Sequence, residues 1–261
     1  MDNIKIATSV YPIEYVVKYL YGNHSTVTSI YPYDSNILEF EVTKVLLKDY
    51  SSNDLFIFNG LSEEKKYVKS LKKYNNDLKI IDATSNLVYD YSIEELWLDP
   101  NNLLTIANNI KNGFEEYIDT KYLTNEINEN YNSLKIKLTN LDGNIYTSIK
   151  NAKTNYIIIT DDAFRFLEKY GLKIISLDED TVTQKDILKA KELLSEGICK
   201  HVFMEYWQEL SDTAKEIIDG YNASTLEFYS MTNLYELNID KNDYITLMND
   251  NLENLKNELY K

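Results

Sequence analysis

Carboxylate side chains near the ends of predicted strands are the groups in this sequence with the most capacity for chemistry. Asp161 and Asp162 follow the strand-like segment TNYIIIT, and Glu205 lies near the end of the segment KHVFMEY. Together with Glu95, they could serve as acid and base if the fold brought them together. The sequence has no nucleophile–histidine pair, no nucleotide fingerprint and only 7 glycines for phosphate-binding loops. We therefore do not expect an enzyme.

Composition narrows the class of protein further. The chain is 44% hydrophobic, which is typical of a globular protein. Its net charge of −15 argues against nucleic acid as a partner, because no basic stripe is present to neutralise phosphates. Cys199 is the single cysteine, so an internal disulfide and a CxxC metal site are excluded, and we expect a buried thiol. No apolar run reaches membrane-spanning length.

Strand-like and helix-like segments alternate in both halves of the chain. In the first half, IKIATSVY, STVTSIYPY, DLFIFNG and LKIIDAT read as strands, separated by amphipathic helices such as SEEKKYVKSLKKYN. In the second half the strands are TNYIIIT, LKIISLD, KHVFMEY and ASTLEFYSM. Alternation of this kind predicts parallel βαβ units with right-handed crossovers.

A long helical pattern separates the two halves. Residues 101–117 and 123–151 carry helical periodicity with no proline. A helix of roughly 28 residues would be about 42 Å long at 1.5 Å per residue, which is longer than one domain core needs. Gly143 costs such a helix only about 1 kcal/mol relative to alanine. A helix lying across two lobes is therefore favoured over a helical hairpin broken near residues 140–143.

The predicted fold class is α/β, with two lobes that each contain a mainly parallel sheet. The predicted domains are an N-terminal lobe over 1–122, a long rigid linking helix over 123–151 and a C-terminal lobe over 152–261. Ligands of such sheets bind beyond the carboxyl ends of the strands, here in the cleft between the lobes.

Several local roles follow from residue type and position. Asp162 is predicted to cap a helix over 163–170, with Asp161 as a second candidate for the cap. Asp99 is predicted to cap or turn the chain into the helix after Pro100. Trp97 and Phe164 are expected in the core rather than at a ligand.

The order of five phrases resembles one known family. TSVYPIEYVVKYLYG, DLFIFNGLSEE, LWLDP, TDDAFRFLEKYGL and HVFMEY follow each other as in the metal-specific solute-binding proteins of bacterial ABC importers. This is the zinc and manganese receptor family, which has a rigid linking helix, and the similarity runs almost end to end. The resemblance implies a receptor with a metal-binding cleft.

The resemblance places two metal ligands in the first lobe, and both differ here. The position before the run EFE, normally histidine, holds Leu38. The position two residues before the tryptophan of WLDP, also normally histidine, holds Glu95. Glu39 and Glu41 flank the first position, and each is also consistent with a solvated or helix-terminal carboxylate.

The resemblance places the other two ligands in the second lobe. The third falls on Asp161, where the family has histidine or glutamate. The fourth, normally aspartate, falls on Tyr229 with a one-residue uncertainty, and Glu227 lies on the same strand face. The two histidines of the chain, His24 and His201, match no ligand position.

The candidate metal ligands Glu95, Asp161, Tyr229 and Glu227 supply only oxygen. Such a set suits magnesium, calcium, manganese or ferric iron better than zinc. Two interpretations stay open. One is an atypical or weakened site for a divalent or trivalent metal ion that is the transported ligand. The other is a family member that has lost metal binding and takes another small solute or a protein partner.

The resemblance also implies a location and partners. We expect a monomeric lipoprotein anchored outside the cytoplasmic membrane of a bacterium, handing its ligand to an ABC permease and its ATPase. The sequence begins directly on a predicted strand and shows no export signal. A cytosolic start and a chain trimmed of its export signal would look the same.

Overall fold

Two four-stranded sheets, both entirely parallel, form the two lobes of the molecule. The structure is a computed structural model, which describes residues 3–32, 40–234, 237–239 and 241–261. The predicted α/β class with mainly parallel sheets is confirmed.

The first sheet has the strand order β2-β1-β3-β4. Its elements, in chain order, are β1 Ile4–Thr8, α1 Tyr11–Tyr21, β2 Ser25–Ser29, α2 Lys44–Tyr50, β3 Leu55–Phe58, α3 Lys65–Tyr74 and β4 Lys79–Asp82. All four residues of β3 are buried, because this strand lies inside the sheet with helices on both faces. Because the four strands are parallel, their carboxyl ends share one edge of the sheet.

The second sheet repeats this arrangement with the strand order β6-β5-β7-β8. Its strands are β5 Tyr156–Ile159, β6 Lys173–Ser176, β7 His201–Glu205 and β8 Ser224–Phe228. Its helices are a 3-10 helix at Asp162–Tyr170, α7 Gln184–Ser195, α8 Asp212–Tyr221 and α9 Tyr244–Leu259. Cys199 is buried as predicted, with 1% of its surface exposed.

Three helices connect the sheets: α4 Glu95–Leu98, α5 Pro100–Tyr117 and α6 Lys121–Lys150. The Asp99 carboxylate caps α5 by accepting a hydrogen bond from the Asn101 amide, as predicted. The helix α6 is continuous through Gly143, so the hairpin alternative is wrong. The domain limits of 1–122, 123–151 and 152–261 stay a prediction.

The linking helix α6 buries one stripe of apolar side chains along its length. Its buried apolar residues recur every three, four or seven positions, at Leu123, Ile127, Leu134, Leu138, Leu141, Ile145 and Ile149. They belong to one hydrophobic cluster that continues into both lobes. The helix is therefore part of the core that joins the lobes, and no hinge of loosely packed chain separates them.

Trp97 connects the two lobes directly. Its side chain is fully buried, and its indole N–H donates to the Ser230 carbonyl oxygen at 2.8 Å. The Tyr244 hydroxyl, from α9, donates to the Trp97 carbonyl oxygen at 2.6 Å. Beside this contact, the Lys169 ammonium donates to the Asp99 carboxylate. Residues 96–100, the LWLDP segment, thus hold the two lobes together at the base of the cleft. The predicted core positions of Trp97 and Phe164 are confirmed.

In the part of the chain that the structure describes, no helix combines the length and apolar character needed to cross a bilayer.

Replacing Gly143 with alanine should raise the free energy of unfolding by about 0.5–1 kcal/mol, because alanine loses less backbone entropy in a helix interior. A Cβ added at Gly143 would meet no heavy atom within 4 Å. Urea denaturation measures the effect. Gly113→Ala in α5 is the control, since its Cβ would lie 2.6 Å from Cδ1 of Ile81 and should destabilise the fold. Destabilisation by Gly143→Ala would contradict a continuous α6.

Candidate functional site

Asp161 stands at the carboxyl end of β5, where the chain turns into the 3-10 helix. Its carboxylate accepts a hydrogen bond from the Ala163 amide at 2.7 Å and so caps this helix. The prediction that Asp162 is the cap is wrong. The Asp162 carboxylate instead accepts hydrogen bonds from the hydroxyls of Ser176, at 2.7 Å, and Thr181, at 2.8 Å. Asp162 thus ties the chain after β5 to the last residue of β6 and to the segment that follows it.

Glu205 stands at the carboxyl end of β7, the neighbour of β5 in the sheet. Its carboxylate accepts a hydrogen bond from the Ser230 hydroxyl, and that hydroxyl also lies 2.7 Å from the Thr232 hydroxyl. Because β7 pairs with β8 in parallel, the chain leaving β8 passes directly beside Glu205. Ser230 is 2% exposed, so this contact lies below the cleft surface.

Three carboxyl groups, one from the first lobe and two from the second, lie close enough that the charge on one raises the pKa of another. These are Glu94, immediately before α4, with Asp161 and Glu205, and we call them the cleft acids. Burial, followed by the nearby charge of Glu94 and other acids, raises the pKa of Asp161 to about 6. Burial, followed by the charges of Asp161 and Glu94, raises the pKa of Glu205 to about 7. Burial also raises the pKa of Glu94.

These raised pKa values have a consequence for stability. Ordinary carboxyl groups titrate near pH 4, so the folded protein binds more protons than the unfolded chain between about pH 4 and pH 7. The contribution of Asp161 and Glu205 is therefore fully present at acid pH and is lost as the pH rises through about 6 to 7. At neutral pH, a cation placed between these groups would relieve their repulsion.

Glu95, the predicted ligand beside Glu94, has a different environment. Its carboxylate accepts hydrogen bonds from three backbone amides: those of Tyr91 at 2.8 Å, Ser92 at 3.1 Å and Asp90 at 3.2 Å. Only 8% of its surface is exposed. Glu95 therefore fixes the loop 90–92 that precedes α4, and its lone pairs are largely used by these amides.

Tyr229 and Glu227, the predicted fourth ligand and its alternative, lie on the strand face away from Ser230. The Asn251 side chain holds the backbone of Tyr229 through two hydrogen bonds, and the Tyr229 ring lies 5.1 Å from that of Tyr206. Burial and the charges of Asp250 and Glu227 raise the pKa of Tyr229, so it is a neutral phenol. Glu227 is exposed.

The structure brings Asp161 together with Glu205 and Glu94, and not with the other predicted ligands. Leu38 and Glu39 lie outside the described residues. Over 3–32, 40–234, 237–239 and 241–261, no group of three or more His, Cys, Asp or Glu side chains is placed to hold a metal ion. The ligand roles of Glu95, Tyr229 and Glu227 stay predictions.

The two histidines lie away from the cleft acids. The His24 ring nitrogen Nε2 lies 2.9 Å from the carboxylate of Glu126, on the linking helix. The Nδ1 atom of His201 lies 2.6 Å from the carboxylate of Glu258, on α9. Both contacts connect elements of the fold.

Two parallel α/β lobes that face each other across an acidic cleft, with a long helix through their shared core, define a solute-binding receptor. The family model described as zinc-uptake complex component A, periplasmic, matches residues 6–258, and the chain belongs to this family. The family consists of receptors rather than enzymes, which confirms that prediction.

Solved structures share the fold at low sequence identity. The metal-dependent lipoprotein YcdH of Bacillus subtilis is 22% identical, with a TM-score of 0.81 over 99% of this chain and 100% of YcdH. The laminin-binding protein Lbp of Streptococcus pyogenes is 20% identical, with a TM-score of 0.78 over 99% of this chain and 100% of Lbp.

Zn(II)-bound AdcA of Streptococcus pneumoniae is 19% identical, with a TM-score of 0.78 over 99% of this chain. The present chain spans 58% of the length of AdcA. Identities this low establish the fold and leave the ligand to be argued from the site.

Glu95→Gln should lower the free energy of unfolding by about 1–3 kcal/mol, because an amide cannot accept all three backbone hydrogen bonds and its NH₂ group would face donors. Urea denaturation at pH 8 provides the measurement. Glu94→Gln is the matched control. It removes a carboxyl group whose pKa is raised by burial, so it should leave the free energy of unfolding unchanged or increase it. Equal effects of the two substitutions would contradict the distinct roles assigned here.

Proposed function

We propose that this protein is the extracytoplasmic solute-binding component of an ABC importer for metal ions, with an atypical site made only of oxygen ligands. The placement of Asp161, Glu205 and Glu94 supports the proposal most strongly, because they come from both lobes and lie close enough for the charge of Glu94 to act on the other two. Their repulsion at neutral pH is relieved by a bound cation, so binding is driven by the charge that destabilises the empty cleft.

Asp161 is the one residue shared by the ligands predicted from the sequence and the cleft acids. Glu205 and Glu94 replace Tyr229, Glu227 and Glu95 in the proposed set. For Glu95 to bind a metal, it would have to release backbone amides of the loop 90–92. The uncertainty of one residue at the fourth position reaches Ser230, whose hydroxyl contacts Glu205.

The proposed set selects for hard cations. Carboxylate oxygens suit manganese, calcium, magnesium and ferric iron, whereas zinc gains most from imidazole and thiolate ligands. Among the described residues, no three His, Cys, Asp or Glu side chains are placed to hold a metal ion together. Water molecules therefore complete the coordination, and the affinity for the metal ion is modest. Zinc binding is therefore much weaker than at a site with several histidines.

The receptor acts outside the cytoplasmic membrane, held there by a lipid, as a monomer with no nucleic acid partner. It delivers its ligand to a membrane permease driven by a cytoplasmic ATPase. Support for these points comes from the family and from the acidic charge.

One observation favours a second candidate function. The lack of a ready three-ligand group within the described ranges is also expected of a family member that has lost metal binding. Such a protein would bind another small solute or a protein partner through the same cleft.

Manganese or calcium at sub-millimolar concentration should raise the melting temperature at pH 7.5, and zinc at micromolar concentration should not. A ligand at a hundredfold excess over Kd adds about 2.7 kcal/mol to the free energy of unfolding. Differential scanning fluorimetry with each ion measures the shift. Asp161→Asn should abolish it while keeping the helix cap, since asparagine also caps helices.

Asp219→Asn, on the exposed side of α8, is the matched control and should keep the full shift. Stabilisation by micromolar zinc that survives Asp161→Asn would contradict the proposed site. If no ion shifted the melting temperature, the second candidate function would be favoured instead.

A further inference from the structure

A large cavity in the first lobe is not explained by a bare metal ion. It has a volume of about 930 Å³ and lies between the turn at residues 59–64 and the loop at residues 89–94. One water molecule occupies roughly 30 Å³ of the liquid, and pockets for small organic molecules span about 300–1,000 Å³. The cavity is therefore of the size that holds an organic solute.

Aromatic side chains make up much of the cavity wall. They are Tyr31, Phe40, Tyr67, Tyr89, Tyr91 and Trp97. The rings of Tyr31 and Phe40 meet edge to face with centroids 5.8 Å apart, so this corner is packed. Tyr89 and Tyr91 are 41% and 47% exposed and stand at the rim. Ring faces of this kind attract cations through their quadrupole.

The charged groups in the wall are all acidic. Among the described residues that line the cavity, four are glutamates, namely Glu41, Glu63, Glu64 and Glu94, and none is Lys, Arg or His. Glu63 already pairs with Lys66. Glu64 is buried and accepts hydrogen bonds from the Ser9 hydroxyl, at 2.5 Å, and the Asn59 amide, at 2.9 Å. Glu64 thus holds the wall in place. Glu94 accepts a hydrogen bond from the Ser92 hydroxyl and is one of the cleft acids, so Glu41 is the carboxylate left to face a ligand.

At the rim of the cavity, a cationic side chain of the protein itself already contacts an aromatic ring. The Arg165 guanidinium, from the second lobe, lies 4.0 Å from the centroid of the Tyr91 ring. The Tyr91 hydroxyl donates to Glu168 at 3.1 Å, and Glu168 in turn accepts from Arg165. A cation held by one ring and one carboxylate is therefore already present at the edge of the cavity.

Glu95 connects the cavity to the change at the predicted ligand position. Its three hydrogen bonds to the amides of residues 90–92 shape the loop that supplies Tyr89, Tyr91 and Glu94 to the wall. The carboxylate that stands where the family is expected to have a histidine therefore builds this side of the cavity.

We propose that this cavity binds a small organic cation, with an amine or guanidinium group on a short carbon chain, at a site separate from the metal site. The proposal rests on the proposed function only in taking the chain to be a solute receptor. Aromatic faces enclose the carbon chain, and Glu41 neutralises the charge. A neutral polyol of the same length gains the hydrogen bonds but not the charge pairing, and an anion is repelled.

Isothermal titration calorimetry on the metal-free protein tests the proposal with four probes of similar length. Putrescine and agmatine carry the predicted charge, 1,4-butanediol is the neutral match and succinate is the anionic match. We expect binding of at least one of the two cations, with affinity about tenfold or more above that for the diol, and no binding of succinate.

Variants locate the site. Glu41→Gln combined with Tyr67→Leu should weaken binding of the cation by about tenfold or more, because one charge and one ring are removed from the same corner. Glu253→Gln, an exposed glutamate of α9, has the same charge change outside the cavity and should bind normally. Circular dichroism and the melting temperature establish that each variant is folded.

Asp161→Asn separates this proposal from the proposed metal site. That substitution should abolish stabilisation by metal ions and leave binding of the organic cation unchanged, whereas the Glu41/Tyr67 variant should do the reverse. The inference is overturned if neither cation binds, if the diol binds as tightly as the cations, or if Glu253→Gln weakens binding as much as the cavity variant.

Discussion

The hydrogen bond from the Trp97 indole to the Ser230 carbonyl is the contact on which the geometry of the cleft depends. It joins the end of the first lobe to the segment that follows β8, in a region with no exposure to water. A buried indole N–H without a partner would cost about 1–3 kcal/mol, so the two lobes are held at one separation. Tyr244 adds a second bond to the same residue. Because Ser230 also contacts Glu205, fixing Trp97 fixes the depth at which the acidic side chains meet.

Because Trp97 is anchored in this way, the adjacent residues Glu94 and Glu95 have opposite roles. Trp97 sets the position of α4, and Glu95, two residues earlier, turns into the lobe to bind the amides of the loop 90–92. Glu94 is left on the other side of the helix start, where its charge acts on Asp161 and Glu205. One side chain is satisfied by backbone donors and stabilises the fold, and the other is held near like charges. The cleft keeps unbalanced negative charge that a cation can neutralise.

The features that sequence could predict are those set by long patterns or by strong local preferences. The period of the apolar residues and the lack of proline predicted α6, and strand–helix alternation predicted both parallel sheets. Asp99 before Pro100 was predicted as a cap because both residues favour a helix start. The side chains of the site could not be predicted with the same success. Asp161 and Asp162 are equally good caps by residue type. Only the hydrogen bonds from the Ser176 and Thr181 hydroxyls, which come from later in the chain, give Asp162 another role.

The same limit applies at the end of β8. Side chains of a strand alternate between faces, so an uncertainty of one residue exchanges Tyr229 for Ser230 and moves the predicted ligand to the opposite face. Ser230 and Glu205 are 25 positions apart in the sequence. Their contact depends on the parallel pairing of β7 with β8.

Anomalous diffraction from crystals soaked in manganese tests the central claim most directly, because it locates the cation without assuming which residues bind it. The account predicts one peak in the cleft, within coordination distance of Asp161 and Glu205 and on the side facing Glu94. A peak at Glu95 with the loop 90–92 released, a peak at Tyr229 and Glu227, or no peak in the cleft would contradict it.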